Sequence, residues 1–198
     1  EWERAQKRVD GIAKAAFEAG QPLFIDAEES WIQDAIDALA TQMMERYNRE
    51  APIVYNTIQL YRHDRLAYMQ QAYATAREKG YWYAVKLVRG AYMEKERERA
   101  AEKGYASPIQ PDKAASDRDY NAALAFCVEN IEHLAVCSGS HNEDSNRLLA
   151  ELMAKHGLDH KHPRIWFAQL KGMSDHISYN LAHAGYQVAK YLPYAPVR

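Results

Sequence analysis

The chain is poor in the residues that cross-link a fold. Its 198 residues include two cysteines, Cys127 and Cys137. Their spacing fits neither a zinc site nor a CxxC motif, which excludes a disulfide scaffold and a thiol-redox centre. Both read as buried, reduced thiols, and that points mildly to an intracellular compartment. No run approaches the roughly 18 apolar residues of a membrane span. An excess of one charge is also missing. Lys plus Arg is 25 and Asp plus Glu is 27, a net charge of −2, so there is no basic field to attract nucleic acid. No GxGxxG follows the first strand-like segment and no P-loop occurs, so a dinucleotide-binding doubly wound sheet loses its main support. No repeat, low-complexity stretch or linker divides the chain. No signal or transit segment is visible. The opening EWERAQKRVDGIAKAAF lacks an initiator Met and already lies inside a helical pattern, and the sequence closes on Pro193-Tyr-Ala-Pro-Val-Arg198 with no helical pattern after it, so both ends read as cut.

What is present is ordinary in amount and informative in order. Apolar residues make up 47% and charged residues 26%, the globular average, and at this length a substantial core is possible. Fourteen tyrosines are mostly packing residues, with a few available to a pocket. Helical periodicity covers 2–19, with Trp2, Ala5, Val9, Ile12, Ala16 and Phe17 on the inward face. It recurs at 30–48, with Trp31, Ala35, Leu39 and Met43 inward, and at 64–78, 93–103, 117–132, 142–156 and 174–184. Ser116 is the expected cap of the fifth helix. Between the helices lie six strand-like runs: 23–26, 52–61, 81–88, 135–138, 164–170 and 186–192. Strands alternating with helices imply βαβ units and a mainly parallel sheet.

Polar residues stand at the ends of the strands: Asp26, Gln59, Arg89 and His141. That is the habit of a (β/α)8 TIM-type barrel, whose site lies at the C-terminal ends of its strands. A full barrel averages about 250 residues, so the chain reads as an α/β barrel core with about six βα units, one domain over 1–198. Within Lys86-Leu-Val-Arg-Gly-Ala-Tyr92, strand alternation sends Lys86 and Val88 to one face. If that face is the interior, Lys86 is a charge beside a buried pocket, and Gly90 admits a close backbone approach. The competing reading is a surface Lys and Arg beside a turn. The charged run Glu94–Glu102 reads as a solvated helix. The histidines at 156, 160 and 162 read as a solvated turn, with no metal site.

Taken together, Phe24-Ile-Asp-Ala-Glu-Glu29, Tyr55-Asn-Thr-Ile-Gln59, Lys86–Tyr92, Lys113–Tyr120, Ser140-His-Asn142, Gln169-Leu-Lys-Gly-Met173 and Lys190-Tyr-Leu-Pro-Tyr194 resemble the proline dehydrogenases, monofunctional type, in the family order. The resemblance implies a (β/α)8 barrel binding FAD and oxidising L-proline to Δ1-pyrroline-5-carboxylate by hydride transfer to flavin N5. It implies electrons passed on to a quinone and peripheral association with a membrane. That membrane would be the bacterial inner membrane on its cytoplasmic face, or the mitochondrial inner membrane on its matrix side.

By motif, Gln59, Lys86, Arg89, Gly90, Lys113, His141 and Asn142 would bind the cofactor. Lys86, Asp26 and Tyr194 would be catalytic, and Tyr92, Leu170 and Tyr194 would enclose the proline ring. Asn142 also reads as a helix cap, and Leu170 equally as core. The family's YLxRR helix, whose arginines clamp the substrate carboxylate, and an earlier strand bearing a lysine have no counterpart here. That motivates an alternative, a non-catalytic barrel fragment. A further alternative is a barrel enzyme using Lys86 as a Schiff-base lysine.

Overall fold

The structure, a computed structural model, describes residues 1–193. In chain order the elements are α1 (Trp2–Glu18), β1 (Leu23–Ile25), α2 (Ser30–Tyr47), β2 (Val54–Gln59), α3 (Arg65–Lys79), β3 (Tyr83–Val88), α4 (Met93–Lys103), α5 (Lys113–Glu129), β4 (Leu134–Gly139), α6 (Glu143–Lys155), β5 (Ile165–Leu170), α7 (Asp175–His183) and β6 (Val188–Tyr191). The six strands form one sheet in sequential order, every neighbouring pair parallel. The sheet curls. The Tyr191 hydroxyl at the end of β6 donates to Asp26 just past β1 at 2.8 Å, joining the first strand to the last across the concave face. This is the expected α/β architecture, a partial barrel.

Alternation along each strand divides its side chains between two layers. Val54, Ile58, Val85, Leu87, Leu134, Val136, Ile165 and Phe167 face the helices and make the main core. Tyr55, Ala84 and Ala135, with Phe24 against them, fill the concave side near the strand starts. Phe24 and Tyr55 meet edge to face at 5.2 Å between ring centroids. Strands β2 to β4 are buried along nearly their whole length, as parallel strands covered on both faces are. Their near-continuous apolar runs follow from that. Cys127 and Cys137 are free and buried, and burial pushes the Cys137 thiol up to about 12.

Four expectations are corrected. On α1, Trp2, Ile12 and Phe17 are exposed, and Ala13 is its buried residue. The helix meets the molecule along a narrow stripe through Val9, Ala13 and Ala16, so the larger apolar residues flank the contact. On α2, Trp31 is exposed and the inward face carries Gln33, Asp37, Leu39 and Met43. Asp37 is buried because Arg65 pairs with it at 2.8 Å and Asn56 donates to it at 2.8 Å. Helix α5 starts earlier than expected, capped by Asp112, whose carboxylate accepts from Ala115 N–H at 2.7 Å. Glu96, inside the charged run of α4, is fully buried.

Candidate active site

The C-terminal ends of the strands open into a cavity of about 600 Å3. Asp26, Gln59, Lys86, Arg89, Gly90, Tyr92, Lys113, His141, Asn142 and Leu170 all line it. Tyr194 lies outside the described residues. One parallel sheet therefore gathers residues spread over most of the chain to a single mouth.

Lys86 points to the concave face and is 8% exposed. Its ammonium donates to Asp26 Oδ1 and lies 5.6 Å from the centroid of the Phe24 ring and 5.2 Å from that of Tyr191. A cation held between a carboxylate and two aromatic faces is fixed in place. Asp26 is the hub. Its second oxygen accepts from Tyr191, whose phenol is raised by that hydrogen bond and by the carboxylate charge. The amine of Lys86 is thus engaged by a carboxylate, unlike a Schiff-base lysine desolvated in an apolar pocket.

Gln59 closes β2. Its Nε2 donates to the Glu28 carbonyl at 3.0 Å, which sets the direction of the amide. Its Oε1, and the Oγ1 of Thr57 two residues earlier, are buried without a partner. Glu28 also accepts from the Tyr92 hydroxyl at 2.6 Å. That bond, followed by burial, raises Tyr92 to about 12.

Arg89 is a scaffold for the far wall. Its guanidinium donates to Asp117 at 2.7 Å, Ser140 at 3.0 Å and Ser145 at 2.9 Å, and it covers the Tyr120 ring at 4.4 Å. Burial opposes ionisation of Asp117, but hydrogen bonds from Lys113 and Arg89 hold its carboxyl below the usual range. Gly90 adopts φ +132°, and a Cβ there would lie 2.4 Å from the Tyr61 ring. Its need for glycine thus comes from Tyr61 as well as from the cavity it borders. Lys113 pairs with Asp117 at 2.5 Å and leaves most of its length in solvent.

His141 bonds Ser174 Oγ through Nδ1 at 3.0 Å, and burial, then the Lys190 charge, lower its pKa. Asn142 caps α6, its side chain accepting from Ser145 N–H at 2.9 Å, as its helix-cap reading expects. Leu170 ends β5 and is 42% exposed at the mouth, which favours a wall over a core role. Among the described residues Arg89 is the one arginine lining the cavity, and no group of three metal-binding side chains occurs.

A model of the family described as "Proline dehydrogenase" matches residues 4–198. The chain belongs to the proline dehydrogenase family. Human "Proline dehydrogenase 1, mitochondrial" is 42% identical over 197 residues, 98% of this chain and 33% of that protein. Xenopus laevis "Hydroxyproline dehydrogenase" is 38% identical over 195 residues, 96% of this chain and 42% of that protein. The chain thus spans about a third of the human family member. Among solved structures, proline utilization A (PutA) of Bdellovibrio bacteriovorus, inactivated by N-propargylglycine, matches with a TM-score of 0.89 at 22% identity. That match covers 100% of this chain and 21% of that one. The likeness shows the fold, six parallel strands of a proline dehydrogenase barrel.

Sequence reasoning on this family missed Tyr191, Thr57 and Glu28. Tyr191 stood inside the quoted stretch Lys190–Tyr194, and alternation from Lys190, which faces α7 through Ser178 at 2.8 Å, would have sent it inward. Nothing in the sequence marks Thr57, an ordinary strand residue, as a polar group without a partner.

Proposed function

We propose that this chain is the cofactor- and substrate-binding core of an FAD-dependent L-proline dehydrogenase. The observation that carries the proposal is the Lys86–Asp26 pair, a fixed cation and its hub carboxylate in the wall of the cavity. The residues present suit a flavin. Gln59 Oε1 and Thr57 Oγ1 are acceptors left over in the wall, fit for the hydrogen-bonding edge of a planar ring system. Gln59 and Lys86 would hold that ring, Arg89 and Gly90 would flank it, and Lys113, His141 and Asn142 would hold the phosphates and adenosine. When bound, FAD supplies the hydride acceptor for oxidising the ring carbon beside the proline nitrogen, giving Δ1-pyrroline-5-carboxylate.

The chain's own part is electrostatic and steric. Lys86 favours negative charge on whatever lies beside it, and its own burial strengthens that help. Asp26 orients Lys86, so it is needed without serving as a general base. Proline entering as the free amine needs no base at its nitrogen. Tyr92 and Leu170 would bound the apolar ring, joined by Tyr194, and aromatic walls do so at little entropic cost. A clamp for the substrate carboxylate is not supplied by the described residues, since Arg89 is already engaged.

A quinone is the proposed electron acceptor, and its pool in the inner membrane sets the proposed location. The human and Arabidopsis thaliana relatives are named mitochondrial. No helix among the described residues is long and apolar enough to cross a membrane.

The test is product formation by the full-length enzyme with L-proline and a soluble quinone. Pyrroline-5-carboxylate appearing in step with quinone reduction supports the reading, and no product from a flavin-loaded enzyme sinks it. Because one relative is named for hydroxyproline, 4-hydroxyproline is the competing substrate to run beside it. A clear preference for it would move the assignment to that substrate.

A further inference from the structure

Helix α4 carries charge on nearly every side, yet Glu96 on it is 0% exposed. A buried carboxylate without partners is strongly unfavourable. Here both oxygens are satisfied by one residue. Ser30 N–H donates to Oε1 and the Ser30 hydroxyl to Oε2, each at 2.6 Å. Ser30 is the first residue of α2, and Glu29 before it gives that helix no side-chain cap. The free N–H groups and positive dipole end of α2 therefore take their carboxylate from another helix, 66 residues away.

This clasp ties together the two loops that make one rim of the cavity. Asp26 to Glu29 lead from β1 into α2, and Arg89 to Tyr92 lead from β3 into α4. Across the junction the Tyr92 hydroxyl meets Glu28 at 2.6 Å. The neighbouring Lys95–Glu29 pair is exposed on its lysine side, and such surface pairs contribute little. Glu96 is the buried fixed point of the junction.

We infer that Glu96 is a positioning residue: through Ser30 it sets the Glu28–Tyr92 contact and so the shape of the wall that would meet the substrate ring. Its consequence for catalysis rests on the proposed proline oxidation, whereas the clasp itself does not.

The experiment compares Glu96→Ala, Glu96→Gln and Ser30→Ala in the full-length holoenzyme. Amide exchange over 27–32, the titration of Tyr92 and the kinetics with L-proline are read in each. For Glu96→Ala, exchange in that segment rises about tenfold and KM rises about tenfold while kcat stays within about threefold. Glu96→Gln keeps an acceptor for Ser30 N–H and stays within about threefold of the parent on each readout. Exchange that rises with KM unmoved makes Glu96 a helix cap only and overturns the inference, as does exchange that does not change.

If Glu96→Ala fails to fold, Ser30→Ala carries the test. It removes one of the two bonds, so KM moves in the same direction by about threefold, and an unmoved KM overturns the inference. If the parent enzyme turns over no proline, the functional reading falls and the clasp is judged on Tyr92 alone. Its titration drops from about 12 toward 10 in Glu96→Ala if Glu96 positions it, and stays put if not.

Discussion

Lys86 and Tyr92 answer to different measurements because their partners differ. Lys86→Met keeps an apolar stem against Phe24 and Tyr191 while removing the charge. Asp26 loses its cation but keeps the Tyr191 hydroxyl, and its side chain is 41% exposed, so water can reach it. Turnover is therefore expected to fall by about a hundredfold, the scale of losing one fixed electrostatic group, with little change in the thermal midpoint. Turnover within about threefold of the parent would remove Lys86 from the account. Tyr92 is read by ultraviolet titration of the parent against Tyr92→Phe. The hydrogen bond to Glu28 raises its phenol from 10 to about 12 in the folded state. Between those values the unfolded chain gives up the proton and the folded chain keeps it, so stability falls as pH rises through that window. Tyr92→Phe loses that portion of the alkaline slope. A phenolate forming near 10 in the parent contradicts the Glu28 contact.

At the scale of elements, the joints between strands and helices carry the site, and two substitutions separate their jobs. Gly90→Ala puts a Cβ 2.4 Å from the Tyr61 ring at φ +132°, where side chains are strained. Destabilisation of about 2–3 kcal/mol is expected in chemical unfolding, and an unchanged midpoint would contradict the geometry of the β3–α4 joint. Asn142→Ala removes the cap of α6 and is expected to cost about 1 kcal/mol. A change of that size with FAD affinity unaltered would make Asn142 a cap alone.

The elements themselves were legible because strand runs rich in β-branched and aromatic residues alternate with helical periods and Gly80 stops α3 in the left-handed region. Faces were harder to read. On α1 the periodicity points Trp2, Ala5, Val9, Ile12, Ala16 and Phe17 inward; Val9 and Ala16 do make the contact, joined by Ala13, where small side chains permit close approach, while Trp2, Ile12 and Phe17 stay exposed. Glu96 reads as solvated in sequence because its reason for burial, Ser30, lies 66 residues away and leaves no local trace.

At the scale of the whole molecule, curling one parallel sheet is what makes the site. Asp26, Gln59, His141 and Leu170 sit at or just past the ends of β1, β2, β4 and β5, Lys86 lies two residues before the end of β3, and only closure toward β6 brings Tyr191 onto Asp26. The strand-end polar residues were visible in sequence, so the cavity's membership was largely readable. Its internal bonding was not, since which partner Lys86 or Arg89 finds depends on curvature and register. The central claim is that this cavity holds FAD and delivers L-proline to it. The most direct measurement is the visible spectrum of the purified full-length enzyme before and after anaerobic L-proline. The account predicts a yellow protein with oxidised-flavin bands that bleach on addition of proline, and far less bleaching in Lys86→Met. A protein purified without flavin that gains none from added FAD, or a flavin band indifferent to proline, would contradict it.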